Sequence, residues 1–318
     1  VLLDRAMAFR DLRSLVMSFI QSDEFFLALE TGRIVDRCDS GVLEAFSRSD
    51  LIGSPNHVTD FMGARISTDL IAWAHNLGGV VEPIPTLRSL CGEFCEWKAI
   101  LTLLNRIAAA KPSTVRVVEV GSAFGPWLAT AGLALQRLGH NTFSLIGVEA
   151  APEFEEGFHK HMAANGLSPF ARWVEGAVLD YAGQAAFPRI TAPSMEFHHR
   201  AQRWDGAAPL PSNHRAVPAM TLQDLVHDVG EVDLLMLTSG DEIAALASLD
   251  WASAPVSALM VATSSVAAPG RLWQDLAGAG WRNLLDVAPR SQQDEADPRV
   301  VHVLQDGCQA WINPSRIA

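Results

Sequence analysis

The stretch VVEVGSAFGPWLA, residues 117–129, passes from an apolar strand through a glycine loop into a run with helical character. It extends backwards to a buried strand over 115–122 and forwards to a helix over 127–139 that Gly139 stops. The same alternation recurs downstream. FSLIGVEA (143–150) reads as a second strand, 152–166 as a helix opened by Pro152 and closed at Asn165-Gly166, and ARWVEGAVLD (171–180) as a third strand. VDLLMLTS (232–239) and VSALMVAT (256–263) give a fourth and a fifth. Strands that are apolar throughout and alternate with helices belong to a mostly parallel sheet covered on both faces, so the spacing predicts a doubly wound α/β fold.

In such a sheet a ligand binds beyond the carboxyl ends of the strands, where strand order reverses, which makes the first strand-to-helix loop the prime site. A dinucleotide loop reads G-x-G-x-x-G, its second glycine admitting a pyrophosphate onto the helix N-terminus. Here Ala123 stands at that second position in Gly121-Ser122-Ala123-Phe124-Gly125, and bulky Trp127 follows. The acid-x-G-x-x-x-G form suits instead a nucleoside with an amino-acid tail and no phosphate to cradle, which is S-adenosylmethionine. Glu149, at the end of the second strand, is placed to accept both ribose hydroxyl protons. Glu119 sits in an otherwise apolar strand, where a carboxylate costs several kcal/mol unless paired, and so reads as a group beside the loop. Ala150 at the end of the second strand, Gly176 and Ala177 in the third, and Thr238 and Ser239 at the end of the fourth complete the expected cofactor contacts.

Composition narrows the partners. The 318 residues carry a net charge of −12, which disfavours a nucleic-acid polyanion and an anionic membrane surface. No apolar run approaches the ~20 residues of a membrane span. The chain therefore reads as soluble and cytoplasmic, with the oligomeric state open; the small-molecule or glycan acceptor expected for it comes from the resemblance described below. It starts at Val1 without a methionine, so a preceding segment and a targeting signal stay open as well. Cys38, Cys91, Cys95 and Cys308 lack zinc-site spacing, and no metal is expected.

Three units are expected: a helical N-terminal domain over 1–50, a connector and packing helix over 51–110, and the α/β domain over 111–318. In the first, Phe9, Leu12, Leu15, Val16, Phe19 and Ile20 recur at helical spacing. Phe19, Ile20, Ser22, Glu24 and Phe25 there resemble the closing signature of a small helical domain appended to bacterial glycan-modifying proteins. In the second, apolar residues from Phe94 to Ile107 predict a helix over 93–110.

Over about 115–285 the order of pieces resembles the FkbM family of S-adenosylmethionine-dependent methyltransferases. The resemblance is carried by VVEVGSAFGPWLA, GVEAAPEFEEGFHKHMAANGL, EGAVLDYAGQAAF, AMTLQDLV and VDLLMLTSGDE. Most specific are the Gly183-to-Phe187 strand and the Thr-Leu-x-Asp-Leu of Thr221, Leu222, Asp224 and Leu225. It implies a Rossmann-like sheet of the class I methyltransferase type, S-adenosylmethionine as cofactor, and O-methylation of a sugar, glycan or natural product.

The chain departs from that family at two places. The Lys and Asp usual on the fourth strand are replaced by Met236 and Thr238, and a Glu-x-His expected near the end of the fifth strand is absent from 260–267. Transfer to a hydroxyl requires the acceptor oxygen in line with the methyl group and usually a base. The candidate bases are His198, His199, His214 and Asp241. Two further readings stay open: a methyltransferase-like domain kept as a binding or scaffolding module, and a nicotinamide-dependent oxidoreductase.

Overall fold

The computed structural model describes residues 41–85, 90–194, 199–240, 242–294, 297 and 301–317. The helical N-terminal unit expected over 1–50 lies outside the described residues except for a short helix α1 (Gly41–Ala45) and the turn after it. Among the described residues no helix is long and apolar enough to cross a membrane.

Five parallel strands form the centre of the molecule. They are β3 (Val115–Val120), β4 (Phe143–Glu149), β5 (Ala171–Glu175), β10 (Val232–Leu237) and β11 (Val256–Thr263). They follow a hairpin of β1 (His57–Thr59) and β2 (Arg65–Ser67). The sheet is completed by β12 (Arg282–Val287) and β15 (Gly307–Ile312), the latter inserted antiparallel between β11 and β12. Strand order across the seven is β12-β15-β11-β10-β3-β4-β5. Numbered along the chain within this sheet, that is 3-2-1-4-5-7-6 read from the β5 edge. This is the Rossmann-like sheet of the class I methyltransferase type. Strand order reverses between β3 and β10, so the crevice opens above the carboxyl ends of those two strands.

Side-chain alternation along each strand feeds two cores. Val115, Val117, Leu145, Leu234 and Met236 pack against α2 (Phe94–Ala109), α3 (Pro126–Arg137) and α4 (Glu155–Ala164). Val118, Val120, Ile146, Leu235 and Leu237 face the other way, onto α5 (Leu222–Val229), Trp251, Trp281 and Leu272 of α7 (Ala268–Leu272). A short α6 (Glu242–Leu246) follows β10 and contributes Ala245 and Leu246 to the same core. The helix expected over 93–110 forms with nearly those bounds, and Glu93 and Glu96 close its first turn as a capping box.

The third strand differs from the expected 171–180. It breaks at Gly176, where a Cβ would stand 2.6 Å from Met220 Cε. Beyond the break, β6 (Ala177–Val178) leaves the main sheet and pairs with β9 (His214–Met220). Together with β7 (Gly183–Pro188) and β8 (Gln202–Arg203) these make a second sheet of order β6-β9-β7-β8 over one end of the crevice. A last hairpin, β13 (Arg290–Gln293) and β14 (Val301–Gln305), stands between β12 and β15.

The 51–86 connector also has a defined task. Val58, Ile66, Ile71 and Ala74 enclose Phe124, so the hairpin and the turn after it buttress the glycine loop from outside.

Thr221 caps α5 through a reciprocal pair: its hydroxyl accepts from Asp224 N at 3.0 Å, and the Asp224 carboxylate accepts from Thr221 N at 3.1 Å. Replacing Thr221 by Ala removes one such acceptor and is expected to lower stability by about 1 kcal/mol in urea unfolding.

Candidate cofactor and acceptor clefts

The glycine loop is held at both ends by main chain. Gly121 N donates to Val148 O at 2.8 Å and Gly125 N to Ser122 O at 2.6 Å. Gly121, Ala123 and Gly125 all have left-handed backbone, at φ of 81°, 42° and 78°. Ala123 is the costly one, since its Cβ disfavours that region. At Gly121 a Cβ would lie 2.7 Å from Ser239 N, so glycine lets the first and fourth strand-end loops touch. Ser122 is fully buried, and its hydroxyl lies against Gly147 on β4, where a Cβ would meet it at 2.8 Å. Under the loop, His161 is buried with Nδ1 3.1 Å from Phe124 O, and burial depresses its pKa to about 4, so the ring is neutral and donates to that carbonyl.

Two carboxylates frame the loop. Glu149 is 8% exposed; its Oε2 accepts from Ala123 N at 3.0 Å and its Oε1 from Ala151 N at 2.9 Å. Those bonds favour the ionised form, but burial outweighs them and raises the pKa above the usual carboxylate value. The contact with Ala123 N also ties the strained residue down. Glu119 is 1% exposed, on the same face of β3 as Val117, beneath the first turn of α3. Its Oε2 accepts from Leu128 N at 3.2 Å, one of the donors a helix start leaves unpaired, and Thr238 Oγ1 lies 3.4 Å from Oε1. Burial is the main cause that pushes its pKa well above normal. The neighbour in register on β10 is Met236, where the family resemblance has a lysine, so that cation is absent from the strand beside Glu119.

Three clefts meet above the strand ends. The first is lined by Gly121, Glu149, Ala150, Gly176, Ala177, Thr238 and Ser239 from among the residues expected, and by apolar Phe154, Phe187 and Ile190. The second brings together Glu119, Gly121, Ser122, Ala123, Phe124 and Thr238 with Ile71, Trp73, Trp127, Glu93 and Glu96. The third runs from Thr238, Ser239 and Gly240 to Arg200, Ser264 and the end of the last hairpin at Gln305 and Asp306. Gly125 lines none of these. Its left-handed turn fits against Phe158 and Met162, where a Cβ would come within 2.8 Å of Met162 Cε.

The expected bases distribute differently. His199 lines the first cleft with Glu149 and Phe187, its ring 6.3 Å from that of Phe187, and so stands on the side of Ala150 and Gly176. His214 begins β9, its Nδ1 3.2 Å from Ser212 O, and lines none of the three clefts. His198 and Asp241 lie outside the described residues.

No protein-family model matches the chain. Over 254 residues it is 29% identical to "Putative methyltransferase" of Jannaschia sp. (strain CCS1), an alignment covering 77% of this chain and 88% of that protein. Among solved structures, precorrin-6y C5,15-methyltransferase from Geobacter metallireducens GS-15 superposes on 68% of this chain and 87% of its own, at a TM-score of 0.37 and 8% identity. Ribosomal protein L11 methylase from Lactobacillus delbrueckii subsp. bulgaricus does so on 67% and 78%, at 0.36 and 13%. At those scores the strand order, not the superpositions, carries the fold.

Sequence reasoning did not single out Glu93, Glu96, Trp73 or Gln305. A signal was available for the first two: they stand three apart at the start of an apolar helix, the spacing of a capping box, and Glu96 is buried as part of the packed face.

Because the folded state holds the Glu119 proton above the unfolded carboxyl pKa, the native state binds more protons and stability falls as pH rises above about 4.5. Glu119→Gln keeps the acceptor for Leu128 N and removes the charge. It is expected to be more stable than the parent at pH 8 by on the order of 1 kcal/mol or more, the gap closing toward pH 4 in denaturant titrations. A gap that stays constant across that range would contradict the burial of an ionisable Glu119.

Proposed function

We propose that the protein is an S-adenosylmethionine-dependent methyltransferase that transfers a methyl group to a hydroxyl of a small-molecule, sugar or glycan acceptor, with residues 111–318 as the catalytic domain. One observation carries the reading: Glu149 and Glu119 flank a left-handed glycine loop above the switch point of the sheet. One cleft beside that loop sets Glu149 against Phe154, Phe187 and Ile190, and the other is lined by Glu93, Glu96 and Glu119. The 29% identity to a protein described as a methyltransferase supports it.

The residues present fit the cofactor. Glu149 offers two oxygens to the ribose hydroxyls, and Phe154, Phe187 and Ile190 with Ala150 and Ala177 make an apolar slot for a planar base. Gly121 lines both clefts, and Glu119 suits the cationic amino-acid tail. When bound, S-adenosylmethionine supplies an electrophilic methyl group: the acceptor oxygen forms the C–O bond as the C–S bond breaks, and the hydroxyl proton leaves. Thr238 and Ser239 border all this from β10 and would orient the acceptor, since placing the oxygen in line supplies much of the rate. His198 and Asp241 are proposed for the proton. His199, by its place in the first cleft, is assigned to the nucleoside side.

A second reading has one observation behind it. Met236 in place of the family's lysine leaves Glu119 without that neighbour, which suits a domain that binds the nucleoside without turning it over.

Calorimetry tests the first reading. S-adenosylhomocysteine is expected to bind, and Glu149→Gln to weaken it about tenfold or more, the scale of hydrogen bonds to a charged group. A chain that binds neither S-adenosylmethionine nor S-adenosylhomocysteine is not a methyltransferase of this kind. Binding without methylated product across a hydroxyl acceptor panel favours the second reading.

A further inference from the structure

The clefts above the strand ends are rich in acid. Glu93, Glu96, Glu119, Glu149 and Asp306 all line them, and among their described lining residues Arg200 is the one lysine or arginine. It belongs to the third cleft, which shares Thr238 with both of the others and Ala262 with the second. A cofactor that spans the first two clefts therefore leaves the third as the way in for an acceptor.

Arg200 is exposed, yet its side chain is laid down at two points. Its stem and Nε lie along Gly240, where a Cβ would stand 3.2 Å from Cγ and 2.9 Å from Nε. Its Nη2 donates to Ser264 Oγ at 3.3 Å. Gly240 follows β10 and Ser264 follows β11, so the guanidinium bridges the carboxyl ends of two neighbouring strands, where ligands of such sheets bind. No ion pair among the described residues includes Arg200, and that holds for Asp306 of the same cleft. Another part of the cleft wall is apolar: Val303 and Leu304 reach it from β14, and Leu304 is 48% exposed.

Resting on the methyltransferase reading above, we propose that the acceptor carries, besides the hydroxyl that is methylated, a carboxylate that Arg200 binds in the third cleft. A guanidinium presents its N–H donors as a rigid planar fork that matches the two oxygens of a carboxylate, and such charge-assisted pairs are roughly twice as strong as neutral hydrogen bonds. Charge decides against a phosphate. A monoanion balances one guanidinium, whereas a phosphate monoester near its second ionisation carries more negative charge than Arg200 offsets, in a cleft that Asp306 also lines. Val303 and Leu304 suit the carbon skeleton that joins the carboxylate to the hydroxyl.

The test titrates hydroxy acids against their neutral amides by calorimetry, with and without saturating S-adenosylhomocysteine: glucuronate against glucuronamide, and 3-hydroxybenzoate against 3-hydroxybenzamide. Glucose 6-phosphate is the third arm. The acids are expected to bind more tightly than the amides by about tenfold or more, and more tightly than the phosphate ester. Arg200→Gln is expected to bring the acid-to-amide ratio close to one. Arg200→Lys, which keeps the charge and loses the fork, is expected to retain only part of the ratio, and Ser264→Ala, which removes the tether, to lower it severalfold. S-adenosylhomocysteine affinity measured in each variant reports whether the fold and the first cleft persist.

Equal affinity for acid and amide overturns the proposal. So does the absence of acid binding, a preference that survives Arg200→Gln, or tighter binding of glucose 6-phosphate than of glucuronate. A ratio that Arg200→Lys keeps in full makes Arg200 a counter-charge to the surrounding acids and overturns the proposal as well. A chain that prefers the acids through Arg200 but binds no S-adenosylhomocysteine overturns only the cofactor reading.

Discussion

A carboxylate buried at the end of the central strand sets the terms for the rest of the structure. Glu119 lies between β3 and the first turn of α3, and a charge there is tolerated only because something donates to it. Leu128 N is that donor, which fixes where α3 must start, and the start of α3 fixes the loop that precedes it. Gly121 and Gly125 then supply left-handed backbone, and Ala123 is held in the same region against its own preference. The hydrogen bond from Ala123 N to Glu149 joins the second carboxylate to the same construction. The two acids are thus structural before any ligand arrives, and their raised pKa values follow from serving both purposes in a dry place.

That arrangement also explains why so much non-adjacent chain converges on one loop. The β1–β2 hairpin and the turn at Ile71–Ala74 close over Phe124, while His161 holds the Phe124 carbonyl from below. From the far side, Ser239 approaches Gly121 closely enough to exclude any side chain there. Each is a tertiary support for a short segment whose backbone is strained, and strain of this kind persists only where the surroundings over-determine it.

The clefts on the two sides of the loop differ in chemistry for a topological reason. The chain leaves the main sheet at Gly176 to build the small β6-β9-β7-β8 sheet, and this brings Phe187 and Ile190 over the first cleft. The second cleft is walled by the start of α2, so helix-capping glutamates become part of its lining. The third is bounded by the end of the β13–β14 hairpin, an insertion between the last two strands of the sheet. Three clefts of different lining thus come from three separate parts of the chain that pack beside one sheet.

Much of this was legible in the sequence. Continuous apolar strands at 115, 143, 171, 232 and 256 determine a parallel sheet, because only a sheet covered on both faces buries every residue of a strand. The missing second glycine at Ala123 and the acids at Glu119 and Glu149 are local to short motifs, so the loop and its two carboxylates could be read directly. The break at Gly176 could not, since it depends on Met220, which arrives from a strand 44 residues later. Glu93 and Glu96 read as the polar edge of an amphipathic helix until α2 is laid against the strand ends. Gln305 carries no signal in its own neighbourhood, and its pairing with Glu93 exists only because β15 returns antiparallel beside β11. Periodicity and motif determined the sheet and the glycine loop; long-range packing decided which charges line the clefts beside it, because burial is a property of neighbours brought together by the fold and not of residues adjacent in the chain.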